Sequence, residues 1–341
     1  MDRANFHQAA AEAALVGIRE CAASPLLFDG RPALAIVVPC FNEEEVLPET
    51  ARCLAALMES LIAGGEISAA SGIYFIDDGS TDRTWARIEA LAAQTTLFHG
   101  VKLAHNSGHQ NAVLVGLFQV SGDALVTIDA DLQDDPEAIR EMLAAFRGGA
   151  EVVYGVRRRR DSDSFFKRVT AEGYYRLLGA LGVEVVFNHA DYRLMSRCAV
   201  DALQRYGECN LFLRGIVPKL GFSHATVYYD RGERLAGESK YPLGKMLALA
   251  VQGVTSFSAA PLRAITMLGF VVSLLSFLGA LWVVWVRLMG THVVPGWASI
   301  VVPVFFLGGI QLLSLGVIGE YIAKIYMETK RRPRYLVDRN I

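Results

Sequence analysis

Short apolar runs and longer periodic stretches alternate along the first half of the chain. Leu34–Pro39, LAIVVP, is apolar and partly β-branched, which predicts a buried strand. Residues 43–62 follow with Val46, Leu47, Leu54, Leu57, Met58 and Leu61 at helical spacing. Ile73–Ile76 predicts the next strand, and Asp82–Ala93 a helix with Asp82 as its N-cap. A strand near 98–103, a helix over 108–120 and a strand over 124–129 continue the series. This β-α-β-α rhythm with short connections predicts an α/β domain with a mostly parallel sheet. Ligands of such sheets bind beyond the carboxyl ends of the strands. The polar clusters NEEE, DDGSTD and DADLQDD all fall there.

The second half reads differently. Ala264–Val286 and Trp297–Gly319 are uncharged stretches of 23 residues each. At about 1.5 Å per helical residue, each spans a hydrocarbon core of roughly 30 Å. Two C-terminal transmembrane helices are therefore expected, with Trp282, Trp285 and Trp297 toward one interface. Arg231, Arg234, Lys240, Lys245 and Arg263 precede the first span. Lys324, Lys330, Arg331, Arg332 and Arg334 follow the second, while the loop between holds only Arg287 and His292. The positive-inside rule puts both flanks, and the N-terminal domain, in the cytoplasm. Phe165–Leu181 and Tyr241–Ser258 suit amphipathic helices at an anionic membrane surface, and residues 5–20 a further short amphipathic helix.

The spans account for a mean hydropathy of +0.31 in a chain of 341 residues with net charge −2. Five cysteines, none in a CxxC, fit a reducing compartment and argue against a zinc cluster or a disulfide frame. No uninterrupted apolar segment near the N-terminus suggests a signal peptide. No GxGxxG follows the first strand and no GxxxxGK[ST] occurs, so neither a dinucleotide fold nor a P-loop is supported.

The stretch TIDADLQDDPE holds five carboxylates in eleven residues. Asp135, Pro136 and Glu137 suit the start of a helix. Asp129 and Asp131 do not have that explanation. If the strand persists they point the same way beyond its end, and paired oxygen ligands without His or Cys suit Mg²⁺ or Mn²⁺. His105, His109 and His189 lack metal-like spacing and read as ordinary polar contacts. Gln311 and Glu320 read as helix–helix contacts.

VVPCFNEEE, IDDGSTD, HNSGHQNAVLVGL and TIDADLQDDPE together resemble the nucleotide-sugar core of glycosyltransferase family 2, with its GT-A fold. YGVRRRR, ADYRLMSR, FLRGI and AGESKYPLGK are similar to the polyprenyl-phosphate branch, which holds dolichol-phosphate mannose synthases and bacterial undecaprenyl-phosphate sugar transferases. The resemblance implies that Pro39, Asn42, Glu43, Asp77 and Asp78 line the nucleoside pocket. It implies that Asp129, Asp131 and Gln133 hold Mg²⁺ or Mn²⁺ on the donor diphosphate. Arg157, Arg168, Arg193, Arg214, Arg231, Arg234 and Lys240 would serve donor or acceptor phosphate, and Arg158–Arg160 a solvated or headgroup-facing surface. Asp191 matches a position proposed as catalytic base. The acceptor phosphate, with a second pKa of about 6, is largely dianionic already, so base and orienter of Arg193 stay equally open.

The implied organisation is an N-terminal extension at 1–32 and a cytoplasmic GT-A domain at 33–230. A juxtamembrane segment at 231–263, a two-helix membrane region at 264–323 and a basic tail at 324–341 complete it. The implied activity is inverting transfer of one sugar from a nucleotide-sugar, UDP-glucose-like first, to a polyprenyl phosphate at a bacterial inner membrane. A GDP-mannose or UDP-aminosugar donor is the near alternative. A processive polysaccharide synthase would carry QxxRW, which is missing. A non-catalytic nucleotide-sugar-binding assembly protein would bind without turnover. The expected partners are the donor, the lipid acceptor and membrane lipids, with no nucleic acid. Gly308, Gly309 and Gly316 would permit close helix packing in a homo-oligomer.

Overall fold

The computed structural model describes residues 30–158, 189–208, 213–230, 260–288 and 297–341. The two expected interfacial helices, the helix at 5–20, and Arg168, Arg231, Arg234 and Lys240 lie outside them. The described residues fall into two compact units. One holds 30–158, 189–230 and 333–341; the other holds 260–332.

The first unit is built on a sheet of eight strands. They are β1 (Leu34–Cys40), β2 (Gly72–Asp77), β3 (Phe98–Leu103), β4 (Ala124–Thr127), β5 (Val152–Arg157), β6 (His189–Ser196), β7 (His224–Tyr229) and β8 (Val337–Asn340). Their order is β7-β5-β6-β4-β1-β2-β3-β8. β4, β1, β2 and β3 run parallel, as the sequence predicts. β6 then enters antiparallel between β4 and β5, and β8 antiparallel beside β3, so the sheet is mixed. Helices α1 (Leu47–Ala63), α2 (Thr84–Ala92), α3 (His109–Gln119) and α4 (Ala138–Arg147) cover it, with short α5 (Arg197–Gln204) and α6 (Leu213–Lys219).

β1 shows why this layering forms. Leu34, Ile36, Val38 and Cys40 face one core layer with Leu54, Met58, Ile88 and Met142 from α1, α2 and α4. Val37 faces the opposite layer with Ala112 and Val115 of α3. A strand buried on both faces needs the continuous apolar run seen here. α3 packs close because residue 116 is glycine; a Cβ there would lie 2.1 Å from Val37 Cγ1.

The second unit contains α7 (Ala260–Leu288) and α8 (Trp297–Lys330). Both expected spans are helical, yet only Phe306–Lys330 among the described residues has the length and composition to cross a membrane. The expectation of two spans is thus met by one; several side chains of α7 are not described. Phe306, Leu312, Leu313 and Leu315 are exposed, unlike the face of a buried core helix. Cys40 and Cys53 are free, whereas Cys198 is disulfide-bonded, contrary to the expectation of reduced cysteines throughout.

Candidate active site

The ends of β1 and β2 are stitched together. Asn42, in the left-handed region at φ 56, donates its N–H to Ser80 Oγ at 2.9 Å and accepts from Thr81 N–H at 2.8 Å. Glu43 N–H donates to Thr84 Oγ1 at 2.9 Å, and Arg83 N–H to Glu44 Oε2 at 2.9 Å. The acidic NEEE loop is thereby saturated against DDGSTD. Gly79, at φ +67, brings the loop at 105–108 against them; a Cβ there would lie 2.6 Å from the His105 carbonyl carbon. Pro39 is buried in β1. Phe41 is an exposed aromatic at the rim, which spacing alone did not single out.

Asp77 and Asp78, expected to act alike, have different environments. Asp77 is fully buried; its Oδ1 accepts from Ser80 N–H at 3.1 Å and its Oδ2 has no donor. A buried carboxylate oxygen without a donor is costly, and suits a ligand N–H. Asp78 accepts from Ser107 N–H at 2.7 Å and Gly108 N–H at 2.9 Å, one on each oxygen. Burial pushes its carboxyl up against the pull of those amides. Both of its oxygens are thereby engaged by the 105–108 loop.

β4 ends at Thr127, so Asp129 and Asp131 stand in the loop beyond it rather than on an extended strand. Asp131 Oδ1 accepts from Gln133 N–H at 3.1 Å, closing a turn in which Leu132 takes φ 51. Left-handed backbone at a leucine is strained and clusters at functional sites. Buried Thr50 of α1 donates to the Ala130 carbonyl at 2.6 Å and holds the same loop. Burial, with Asp134, Asp191 and Asp131 nearby, pushes the Asp129 carboxyl up to about 6 against the opposing effect of His109. No three His, Cys, Asp or Glu side chains among the described residues form a metal-binding group. Two neighbouring carboxylates, one of them pushed up by burial and adjacent acids, fit a hard cation that takes its remaining ligands from phosphate and water.

The adjoining β6 is neutralised by its own cations. Asp191 Oδ1 accepts from Arg193 Nη2 at 2.7 Å and Arg214 Nε at 3.2 Å, and Oδ2 from Arg214 Nη2 at 3.0 Å. Burial alone would raise its carboxyl, but the two guanidiniums reverse this and hold it well below the usual range. Arg193 is 1% exposed, and its Nε and Nη1 have no partner. Arg157, expected at phosphate, donates to buried Asp134 Oδ1 from Nε at 3.1 Å and Nη2 at 2.8 Å. Tyr229 Oη donates to the same oxygen. Arg157 is thus committed, at least in part, to a buried carboxylate.

His109 was read as an ordinary contact. Its Nε2 lies 3.7 Å from Asp129 Oδ1 and 3.7 Å from Asp191 Oδ2, between the two groups. Its position as first residue of α3, just past a strand end, was the available signal. Asp135, the expected cap, accepts from Glu137 N–H at 3.0 Å in the turn entering α4. Asp82, expected as the N-cap, lies one residue before the actual cap Arg83 and accepts from Thr84 N–H at 2.9 Å in the turn entering α2.

Residues 35–204 match the model of glycosyl transferase family 2. Over 310 residues the chain is 51% identical to uncharacterized glycosyltransferase YkoT of Bacillus subtilis (strain 168), covering 90% of this chain and 92% of that one. Over 305 residues it is 39% identical to the bactoprenol glucosyl transferase of Shigella phage SfV, covering 89% and 97%. Among solved structures, glucosyl-3-phosphoglycerate synthase from Mycobacterium tuberculosis in complex with phosphoglyceric acid is 20% identical, with a TM-score of 0.47 over 70% of this chain and 80% of that chain.

Proposed function

The chain belongs to glycosyl transferase family 2, and on that premise we propose that it transfers one sugar from a nucleotide donor to a polyprenyl phosphate at a membrane face. The observation that carries the reading is the pairing of a carboxylate loop, where burial and neighbouring acids push the Asp129 carboxyl up, with two guanidiniums on Asp191, Arg193 of the adjoining strand and Arg214 of α6. The first suits a cation-bound diphosphate, the second an incoming phosphate. The 39% identity to a bactoprenol glucosyl transferase favours glucose and undecaprenyl phosphate over other sugars and lipids. The exposed apolar Phe306–Lys330 helix favours anchoring at a bacterial inner membrane, with the transferase domain cytoplasmic.

In this GT-A reading Asp77 Oδ2 accepts from a base N–H, and Phe41 offers a flat face for the base to stack on. Asp129 and Asp131, with Gln133, would hold Mg²⁺ or Mn²⁺. When bound, that cation offsets charge developing on the leaving diphosphate. Arg214 receives the acceptor phosphate, and Asp191, itself held by buried Arg193, fixes its plane. A carboxyl held well below its usual range is a weak base, and a dianionic phosphate needs none. The phosphate oxygen forms the new bond to the anomeric carbon as the bond to the diphosphate breaks, inverting that centre. Docking both reactants at one surface supplies much of the rate through effective concentration.

The test is a donor panel with the purified full chain, undecaprenyl phosphate and Mn²⁺ or Mg²⁺, read by mass spectrometry of the lipid. UDP-glucose, UDP-GlcNAc, GDP-mannose and a UDP-aminoarabinose donor would be compared. One lipid-linked sugar with inverted configuration supports the proposal. A retained configuration, or binding without product from every donor, overturns it.

A further inference from the structure

The loop that carries His109 is held more firmly than an ordinary strand–helix connection requires. Buried Asp78 spends both oxygens on the N–H groups of Ser107 and Gly108. Asn111 Nδ2 donates to the Ser107 carbonyl at 2.7 Å and ties the loop to the first turn of α3. Gly108, at φ +91, turns the chain directly into that helix. His109 and Gln110 open it, and both engage the acceptor side. His109 Nε2 stands 3.7 Å from Asp191 Oδ2, and Gln110 Oε1 accepts from Leu213 N–H at 3.4 Å. Leu213 is the residue before Arg214, which itself grips Asp191. The other approach of His109 Nε2, 3.7 Å to Asp129 Oδ1, reaches the donor side.

We infer that His109 is a positioning residue for the transfer step. It stands between Asp129 and Asp191, 3.7 Å from each and beyond hydrogen-bonding distance, and as a spacer keeps the donor-holding loop and the acceptor-holding guanidiniums at a fixed separation. The first turn of α3 is then a bracket running from the end of β2, through Asp78, to both halves of the site. This inference rests on the sugar-transfer reading. A small error in the separation of two reacting groups costs rate steeply, while each half binds its own ligand unaided. The signature is therefore a loss in kcat with little change in donor affinity.

The experiment compares wild type, His109→Ala and His109→Gln in full-length protein, with circular dichroism and thermal melting as folding controls. Steady-state kinetics would be run with the donor identified by the panel, and UDP affinity measured by calorimetry in Mn²⁺. The expected result is a 10- to 100-fold lower kcat in His109→Ala, with donor KM and UDP affinity within about twofold. Partial recovery is expected in His109→Gln, which keeps a side-chain donor. Unchanged kcat in a folded His109→Ala protein would overturn the inference alone. So would weakened UDP binding, which would make His109 a donor ligand. A fall in His109→Ala that His109→Gln does not share at all would still support it. A wild type that transfers no sugar would overturn the function itself, and the inference with it.

Discussion

Asp129 and Asp191 lie on neighbouring chain segments, one just past β4 and the other in β6, with a single imidazole between them. Their electrostatics are opposite. Asp129 is surrounded by carboxylates, and its proton is held to about pH 6. Asp191 is clasped by two guanidiniums and stays ionised far below its usual range. The difference shows that neighbouring carboxylates are set oppositely by what surrounds them. One half gathers acidic side chains and, in the proposed reading, would leave the positive charge to a bound cation. The other carries its own positive charge on Arg193 and Arg214.

The largest effect that would break this contrast is on turnover. Asp131→Asn removes one ligand oxygen from the cation-holding half and is expected to lower kcat about 1,000-fold, ~4 kcal/mol of transition-state stabilisation. Near-normal turnover in Asp131→Asn would show that the loop is not the donor centre. Next is the stability of the self-neutralised half. Arg193→Met strands Asp191 beside a single, half-exposed guanidinium. It should destabilise the fold by about 3 kcal/mol in urea denaturation, since breaking a buried pair leaves a charge uncompensated.

A smaller effect separates base from orienter. Asp191→Asn should reduce kcat/KM about 10- to 100-fold without moving the acidic limb of the pH–rate profile. Loss of that limb would restore the base role. The smallest effect carries the sign of the comparison. Asp129 has a folded pKa of about 6 against an ordinary 3.8, so without a cation it costs stability as pH rises through that window. Its side chain is 37% exposed, which screens the cost to about 1 kcal/mol. Asp129→Asn should therefore stabilise the cation-free protein by about that amount at pH 7.5, and by almost nothing below pH 4. Asp191 has a depressed pKa, so its contribution is already present above 3.8 and fades only as pH falls through the lower folded value. Asp191→Asn should accordingly destabilise at pH 7.5. The same substitution on adjoining segments thus shifts the melting temperature in opposite directions.

What was legible in the sequence follows the same division of the sheet. β1, β2 and β4 are buried along nearly their whole length and announce themselves as apolar runs. β6 reads ADYRLMS, with buried Arg193 inside it, and a charged residue in a strand core imitates a surface motif. β8, VDRN, is exposed at every position and exists only because β3 offers hydrogen bonds to it. No periodicity encodes such a strand. In the candidate site, strand ends and motif spacing mark Asp77, Asp129, Asp131, Asp191 and Arg214 as candidates. The partners of Asp78, two backbone amides thirty residues on, leave no trace in composition. Nor do the carboxylates near His109, which are distant in sequence and close only after β4 and β6 pair.

β8 also has a consequence in time. β3 is made early, and its outer edge is covered only when the segment after α8 returns to it. Throughout synthesis of α7 and α8 that edge stands open. An open strand edge invites pairing with other chains. Completion of the sheet is thereby placed after completion of the long helices, so a nascent chain arrested before β8 leaves the ribosome with its transferase sheet unfinished.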